Sequence, residues 1–278
     1  MEKAEVRKQW EAAAPGWAKW EAVIATWAEP ATKAMLDMAG VVAGARVLDL
    51  ACGAGSQTLS AARRAGRQGH VVASDISETM LEHTRENARA AGLANISTLC
   101  GAAEELEVAP ESFDAVICRL GLMLFAEPVK ALAAVRQALR PGGKVAVIVF
   151  TTPAANPSRS KAMQILLRHT GKAPLAAGRP GLFSLGAPGI IERLLSDSGF
   201  VSVVRRDMPI PIRMPSAADA LQMMQESAAV YRAVVGDCSE AVRAAAWADV
   251  AGMLRTYETG DGFVAPAELL VAAGTRPA

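Results

Sequence analysis

The stretch Val47-Leu48-Asp49-Leu50-Ala51-Cys52-Gly53-Ala54-Gly55-Ser56-Gln57-Thr58 constrains this chain more than any other. Its first four residues read as a buried strand, its two glycines punctuate a tight loop, and Ser56-Gln57-Thr58 opens a helix. Glycine lets the backbone approach a ligand closely, and a helix start offers unpaired N–H groups at the positive end of its dipole. Asp75 closes the next apolar run, where its carboxylate can accept hydrogen bonds from both hydroxyls of a ribose. Open parallel sheets bind ligands at the carboxyl ends of their strands, so the loop and the carboxylate predict one nucleoside site.

The rest of residues 46–150 fits that architecture. Short apolar runs at 47–50, 71–75, 115–118 and 145–150 read as parallel strands buried on both faces. Helical spacing separates them. Met80, Thr84, Ala88 and Ala91 share a face that Gly92 stops, and Val129, Leu132, Val135 and Leu139 share another that Pro141-Gly142-Gly143 ends. This alternation predicts an α/β fold with a mostly parallel sheet and helices on both faces. Residues 2–40 are helical in pattern, with a break expected at Pro15-Gly16. Beyond Phe150 the chain is rich in Pro, Gly and Ala to residue 189, with a helix expected at 159–168. A helix at 190–195 with its end at Gly199, a strand at 201–205, helical stretches near 217–235 and 240–257, and a closing strand at 268–273 complete the pattern. Three regions are expected: a helical lid (1–40), a ligand-binding core (41–150), and cap helices inserted after the fifth strand, with sheet-completing strands (151–278).

The 278 residues carry a formal net charge of +1, without the basic excess that a nucleic-acid partner calls for. Cys52, Cys100, Cys118 and Cys238 form no C-x-x-C pair and no His-rich segment accompanies them, so no metal site is expected. Met1-Glu2-Lys3-Ala4-Glu5 lacks the apolar core of a signal peptide, and no apolar run reaches bilayer-spanning length. A reducing, cytoplasmic setting is the expectation. A homodimer is compatible with the sequence but not fixed by it.

Two nucleoside cofactors compete for the loop. The dinucleotide fingerprint G-x-G-x-x-G calls for a third small residue where this chain has Thr58, and a pyrophosphate there would face Asp49. The same carboxylate would attract the ammonium and sulfonium of S-adenosylmethionine. That methyl donor is the expected ligand, with an NAD-dependent oxidoreductase and a catalytically silent S-adenosylmethionine-binding protein as the alternatives.

The segment from Asp49 to Gly55 resembles the first motif of class I S-adenosylmethionine-dependent methyltransferases, especially their ubiquinone/menaquinone-biosynthesis-like (methyltransferase type 11/25) group. Three further stretches, at 73–81, 101–106 and 139–144, are similar to that group's pattern and occur in the same order. The resemblance implies a Rossmann-like, seven-stranded sheet and methyl transfer to a small-molecule acceptor. It implies that Asp49 and the loop of Ala51, Cys52, Gly53 and Gly55 hold the methionine part of the cofactor, and that Asp75 binds the ribose. Ile76 and Ser77 would lie beside the adenine, Ala103 and Glu104 on its far side, and Arg119 would face the donor. Met80 and Leu120 complete this set. Two positions depart from the family. Ala51 replaces a frequent glycine, a change tolerated if its φ is negative, and Ala102 stands where the group often has aspartate.

Trp10 and Trp17 flank a segment similar to one that folds over the cofactor in many relatives, where a ring face would attract a sulfonium by about 0.5–2 kcal/mol. Anchoring of the N-terminal helix on the core is as good an account of these two, and a better one of Trp20 and Trp27. In-line methyl displacement depends chiefly on positioning, so a base is needed only where the nucleophile must lose a proton. Of His70, His83 and His169, the last is the best candidate, since a cap helix carrying it is expected over the cleft; a plain helix-end role is the alternative. His169 and Arg119 are therefore the candidate catalytic residues. Met, Leu and Ala in the cap, and residues 119–125 after the fourth strand, point to a small, largely apolar acceptor methylated on C, O or N.

Overall fold

The computed structural model describes residues 3–176 and 178–278; Met1 and Glu2 of the N-terminal stretch, and Ala177 of the Pro- and Gly-rich segment, lie outside the described residues. A long helix, α1 (Lys3–Met38), precedes β1 (Arg46–Leu50), α2 (Ser56–Ala65), β2 (His70–Asp75), α3 (Glu78–Ala90), β3 (Ile96–Cys100), β4 (Phe113–Arg119), α4 (Pro128–Ala138) and β5 (Leu139–Phe150). There follow α5 (Pro157–Thr170), α6 (Ile190–Asp197), β6 (Val201–Pro209), β7 (Ile212–Met214), α7 (Ala217–Ser227), α8 (Ala229–Val235) and α9 (Glu240–Arg255). The chain closes with β8 (Glu258–Thr259), β9 (Gly262–Ala265) and β10 (Glu268–Thr275).

Among the described residues the main sheet has seven strands in the order β3-β2-β1-β4-β5-β10-β6. Parallel pairing runs from β3 to β5, and β10 lies antiparallel between β5 and β6. The α/β, Rossmann-like expectation holds. Chain order reverses between β1 and β4, and at such a switch point the loops leave in opposite directions and open a crevice. The strands beside it are apolar because helices cover both faces; Val47, Leu48, Ala115, Val116 and Ile117 are fully buried.

The expected break at Pro15-Gly16 is absent, and α1 runs through both Pro15 and Pro30. A proline removes an intrahelical donor, at Pro15 the one that would serve the Glu11 carbonyl, so tertiary contacts must hold the helix together around it. The Arg232 guanidinium, from α8, donates to the carbonyls of Ala12 and Gln9 at 3.1 and 3.4 Å. Gly16 lies so close to α7 that a Cβ would come within 2.3 Å of the Glu226 carbonyl oxygen. These contacts hold α1 on either side of Pro15. The buried stripe of α1, with Trp20, Ile24, Trp27, Ala31 and Met35, belongs to the main core.

The cap also differs from expectation. Only α5 directly follows β5; α7, α8, α9 and a three-stranded sheet of order β7-β9-β8 are inserted between β6 and β10. The helical stretch 217–235 breaks at Ala228, whose backbone is extended. On α4 the buried stripe is Ala131, Leu132, Val135 and Ala138, while Val129 is exposed and Leu139 already belongs to β5.

Candidate functional site

The cleft forms where β1, β2 and β4 end. Leaving β1, the chain turns through Ala51 at φ +52°, Gly53 at φ +57° and Gly55 at φ +97°. The condition set for Ala51 is not met: its φ is positive, a left-handed conformation that costs a residue with a Cβ on the order of 1 kcal/mol. Gly121 at the end of β4 makes room for the alanine methyl, since a Cβ there would stand 2.7 Å from it. Leu120, also left-handed at φ +62°, lines the cleft beside it. Gly55 lies behind the loop against Thr84 and off the cleft wall.

Asp49 does not face the ligand space. It is fully buried beneath the loop, accepting from Thr58 Oγ1 at 2.5 Å and from Gln57 Nε2 at 3.4 Å. Burial pushes its carboxyl up to about 7, against the Thr58 hydrogen bond and the Arg119 charge. Thr58, which argued against a dinucleotide, is the side chain that fastens α2 to β1. Asp75 does line the cleft. Its two oxygens accept from Gly53 N and Ser77 N, each at 3.0 Å, and burial pushes its carboxyl up to about 6. Ser77 is wholly buried and caps α3 by accepting from Met80 N at 3.2 Å, so it does not reach the cleft wall. Ile76, Met80, Ala102, Ala103 and Glu104 do, and they make one side largely apolar.

α1 crosses this opening and straps it with two carboxylates. Glu11 accepts from Glu78 N at 2.8 Å and Glu21 from Ser56 N at 2.6 Å, so each caps a helix flanking the cleft. Trp10, Trp17 and Glu21 all line the cleft from one face of α1, at helical spacings of seven and four. Arg119, also on the wall, donates to Ser56 Oγ at 2.6 Å and Thr32 Oγ1 at 3.3 Å and stands 3.8 Å from Glu21. Burial lowers its pKa, opposed by Glu21 and Asp49. Gln57 gives both amide hydrogens to Asp49 and Cys52 carbonyl oxygen, leaving its buried Oε1 without a partner on the cleft wall. The Cys52 thiol is pushed far up by burial and stays protonated. The resulting space is lined by the Asp75 carboxylate and by Glu21, Gln57 and Arg119, with Glu21 3.8 Å from the Arg119 guanidinium.

A second cavity adjoins it and shares Trp10, Trp17, Leu120 and Leu124 with it. Ile24, Trp27, Phe150, Met223 and Met224 make it apolar, and no Asp or Glu is among its described lining residues. Arg159 lies in its wall, only 9% exposed, with its guanidinium 4.6 Å from the Phe150 ring centre and 5.8 Å from that of Trp27. Such contacts return about 0.5–2 kcal/mol each, against several kcal/mol for burying an unpaired charge.

His169 lies elsewhere. It lines neither cavity, and its Nε2 is 2.8 Å from Asp249 Oδ2, a partner supplied by the packing of α9 on α5. His70 pairs with Ser97 at 2.8 Å and His83 with Glu86 at 3.4 Å. Glu21, Gln57 and Arg159 went unrecognised in the sequence. Only Glu21 left a signal there, the stripe it shares with Trp10 and Trp17.

The sequence model of a methyltransferase domain matches residues 42–175. A ubiquinone/menaquinone biosynthesis C-methyltransferase of Yersinia enterocolitica is 40% identical over 123 residues, covering 44% of this chain and 49% of that protein. The chain thus spans about half the length of the curated relatives it matches. The solved structure of YcgJ from Bacillus subtilis superposes over 90% of this chain and 99% of its own at a TM-score of 0.60, with 16% identity. Phosphoethanolamine N-methyltransferase 2 of Haemonchus contortus, solved with S-adenosylhomocysteine and phosphomonomethylethanolamine, superposes over 90% of this chain and 53% of its own at 0.56, with 21% identity.

Residues 42–175 thus match a methyltransferase domain, and the sheet they contribute to has the Rossmann-like fold of solved methyltransferase structures. Over the matched stretch the chain is similar to ubiquinone/menaquinone biosynthesis C-methyltransferases.

Proposed function

We propose that this protein transfers a methyl group from S-adenosylmethionine to a small, largely apolar acceptor. One observation carries the reading. The first N–H of α2, which would hold the pyrophosphate of a dinucleotide, donates instead to the Glu21 carboxylate at 2.6 Å. A carboxylate in that position repels a phosphate and attracts a cation.

The residues present fit the methyl donor. The orphaned Gln57 Oε1 needs a donor, and with Glu21 it would take the ammonium of the methionine part. Arg119 would take the carboxylate, and Asp75 retains acceptor capacity on both oxygens for the ribose hydroxyls. The apolar wall at Ile76, Met80, Ala102 and Ala103 would flank the adenine. Bound there, S-adenosylmethionine supplies a methyl group activated by a sulfonium. Trp10 and Trp17, common to both cavities, present apolar surface that keeps water from the junction. The second cavity orients the acceptor, and orientation is what an in-line displacement needs most. No histidine lines either cavity among the described residues, so these side chains position the reactants and none of the three imidazoles takes a proton. The name of the Yersinia relative favours carbon as the methylated atom.

We read the setting as cytoplasmic. The four cysteines are free thiols, in keeping with a reducing compartment, and no helix of the described residues is long and apolar enough to cross a membrane.

Incubation with methyl-tritiated S-adenosylmethionine and a panel of phenols, quinols and aromatic acids tests the reading by the label recovered in the organic phase. Label in a small product, about tenfold lower with Asp75→Ala at limiting donor, is expected. Binding of the donor with no label in any acceptor would favour the silent binding protein instead.

A further inference from the structure

We infer that the second cavity accepts an apolar carboxylic acid, whose carboxylate is held by Arg159. The inference rests on reading this cavity as the acceptor half of the methyltransferase site.

Arg159 is a buried cation that the chain leaves without an anion. Among the described residues its guanidinium makes no ion pair and no hydrogen bond; it meets the faces of Phe150 and Trp27, and the one ionisable group whose field reaches it is the Tyr231 phenol, which burial keeps neutral. It is the third residue of α5, so the positive end of the helix dipole opposes its charge as well. The same helix start would favour an anion placed against it. Nothing in the wall is free to serve as that anion. The Tyr231 hydroxyl donates to the Arg159 carbonyl oxygen at 3.1 Å, and the Ser227 hydroxyl donates to Met223 carbonyl oxygen at 2.6 Å. The indole N–H groups of Trp17 and Trp27 are buried without acceptors. The cavity wall therefore holds the Arg159 donors without an acceptor, a condition that a carboxylate relieves and a neutral hydrocarbon does not.

Position also agrees. Arg159 lines the second cavity and not the cleft, whereas Trp10, Trp17, Leu120 and Leu124 line both. An acid anchored at Arg159 would extend its apolar body past Met223 and Met224 toward the shared wall, where the methyl donor is proposed to sit. A fixed guanidinium, with its planar fork, suits a carboxylate held by two parallel hydrogen bonds. The residue would then set which acceptors enter and in which direction.

The test is calorimetric titration of octanoate, 3-phenylpropionate and 1-naphthoate, each beside its own amide, with and without S-adenosylhomocysteine. At least one acid should bind about tenfold or more tightly than its amide. Arg159→Gln and Arg159→Leu should erase that difference, and Arg159→Lys should keep part of it, all three with S-adenosylhomocysteine affinity unchanged. The inference is overturned if no acid outbinds its amide in the unaltered protein, a comparison independent of how any variant folds. It is equally overturned if the difference survives in Arg159→Gln. Acid preference without S-adenosylhomocysteine binding would sink the methyltransferase reading alone. The reverse pattern would sink the anion site alone.

Discussion

Glu21 Oε1 accepts the backbone N–H of Ser56 at 2.6 Å, placing a carboxylate from α1 on the start of the helix that follows the glycine loop. The cap joins residues 35 positions apart and gives the loop the opposite charge preference from a phosphate-binding turn. Replacement by alanine frees the Ser56 N–H and deprives Arg119 of its nearby anion. Glu21→Ala should weaken S-adenosylhomocysteine binding by about tenfold and lower the melting temperature, read by calorimetry and circular dichroism. Unchanged affinity would separate the cap from ligand binding.

Asp75 holds Gly53 and Ser77 and still faces the cleft. Asp75→Ala removes a charged acceptor from both the loop and the proposed ribose. A loss of at least about tenfold in S-adenosylhomocysteine affinity is expected, and wild-type affinity would show that the ribose sits elsewhere.

Asp49 makes stability depend on pH in a predictable direction. Its carboxyl rises from 3.8 in the unfolded chain to about 7 in the fold. The native state therefore holds this proton more tightly, and the stability it contributes is full below about pH 4. That contribution is lost as pH rises from about 4 through 7, a penalty on the order of 4 kcal/mol. Asp49→Asn keeps an oxygen for Thr58 and never ionises. Its melting temperature should match the wild type near pH 4 and exceed it increasingly up to pH 8. A difference independent of pH would contradict the assignment.

Much of the fold could be read ahead of the structure because it rests on local pattern. The runs of β1, β2, β4 and β5 are apolar because both faces are covered, and Asp75 ends β2 as its sequence position suggested. β3 escaped notice because an edge strand of alternating partial exposure, Ile96–Cys100, carries no continuous apolar run. The three-residue β7 and two-residue β8 are too short to leave a period. The misreadings have tertiary causes. Pro15 looks like a break until Arg232 serves the carbonyls around it. Asp49 was recognised as a key carboxylate, but a residue's number along a strand does not say whether it lies above the loop or beneath it. Arg159 looks like an ordinary charged helix residue, and only the packing of Phe150, Trp27 and Tyr231 around it reveals a buried cation.

His169 is bound to Asp249 away from both cavities. His169→Ala should change S-adenosylhomocysteine affinity and methyl-transfer rate by no more than about twofold, as expected of a surface substitution. A tenfold fall in rate at constant affinity would restore it as a catalytic candidate.

Calorimetric titration of the purified protein with S-adenosylmethionine, S-adenosylhomocysteine and NAD addresses the central claim most directly. Saturable one-site binding of both sulfur nucleosides, with no heat from NAD, is the predicted result. Absence of heat with either sulfur nucleoside, or tight binding of NAD, would contradict it.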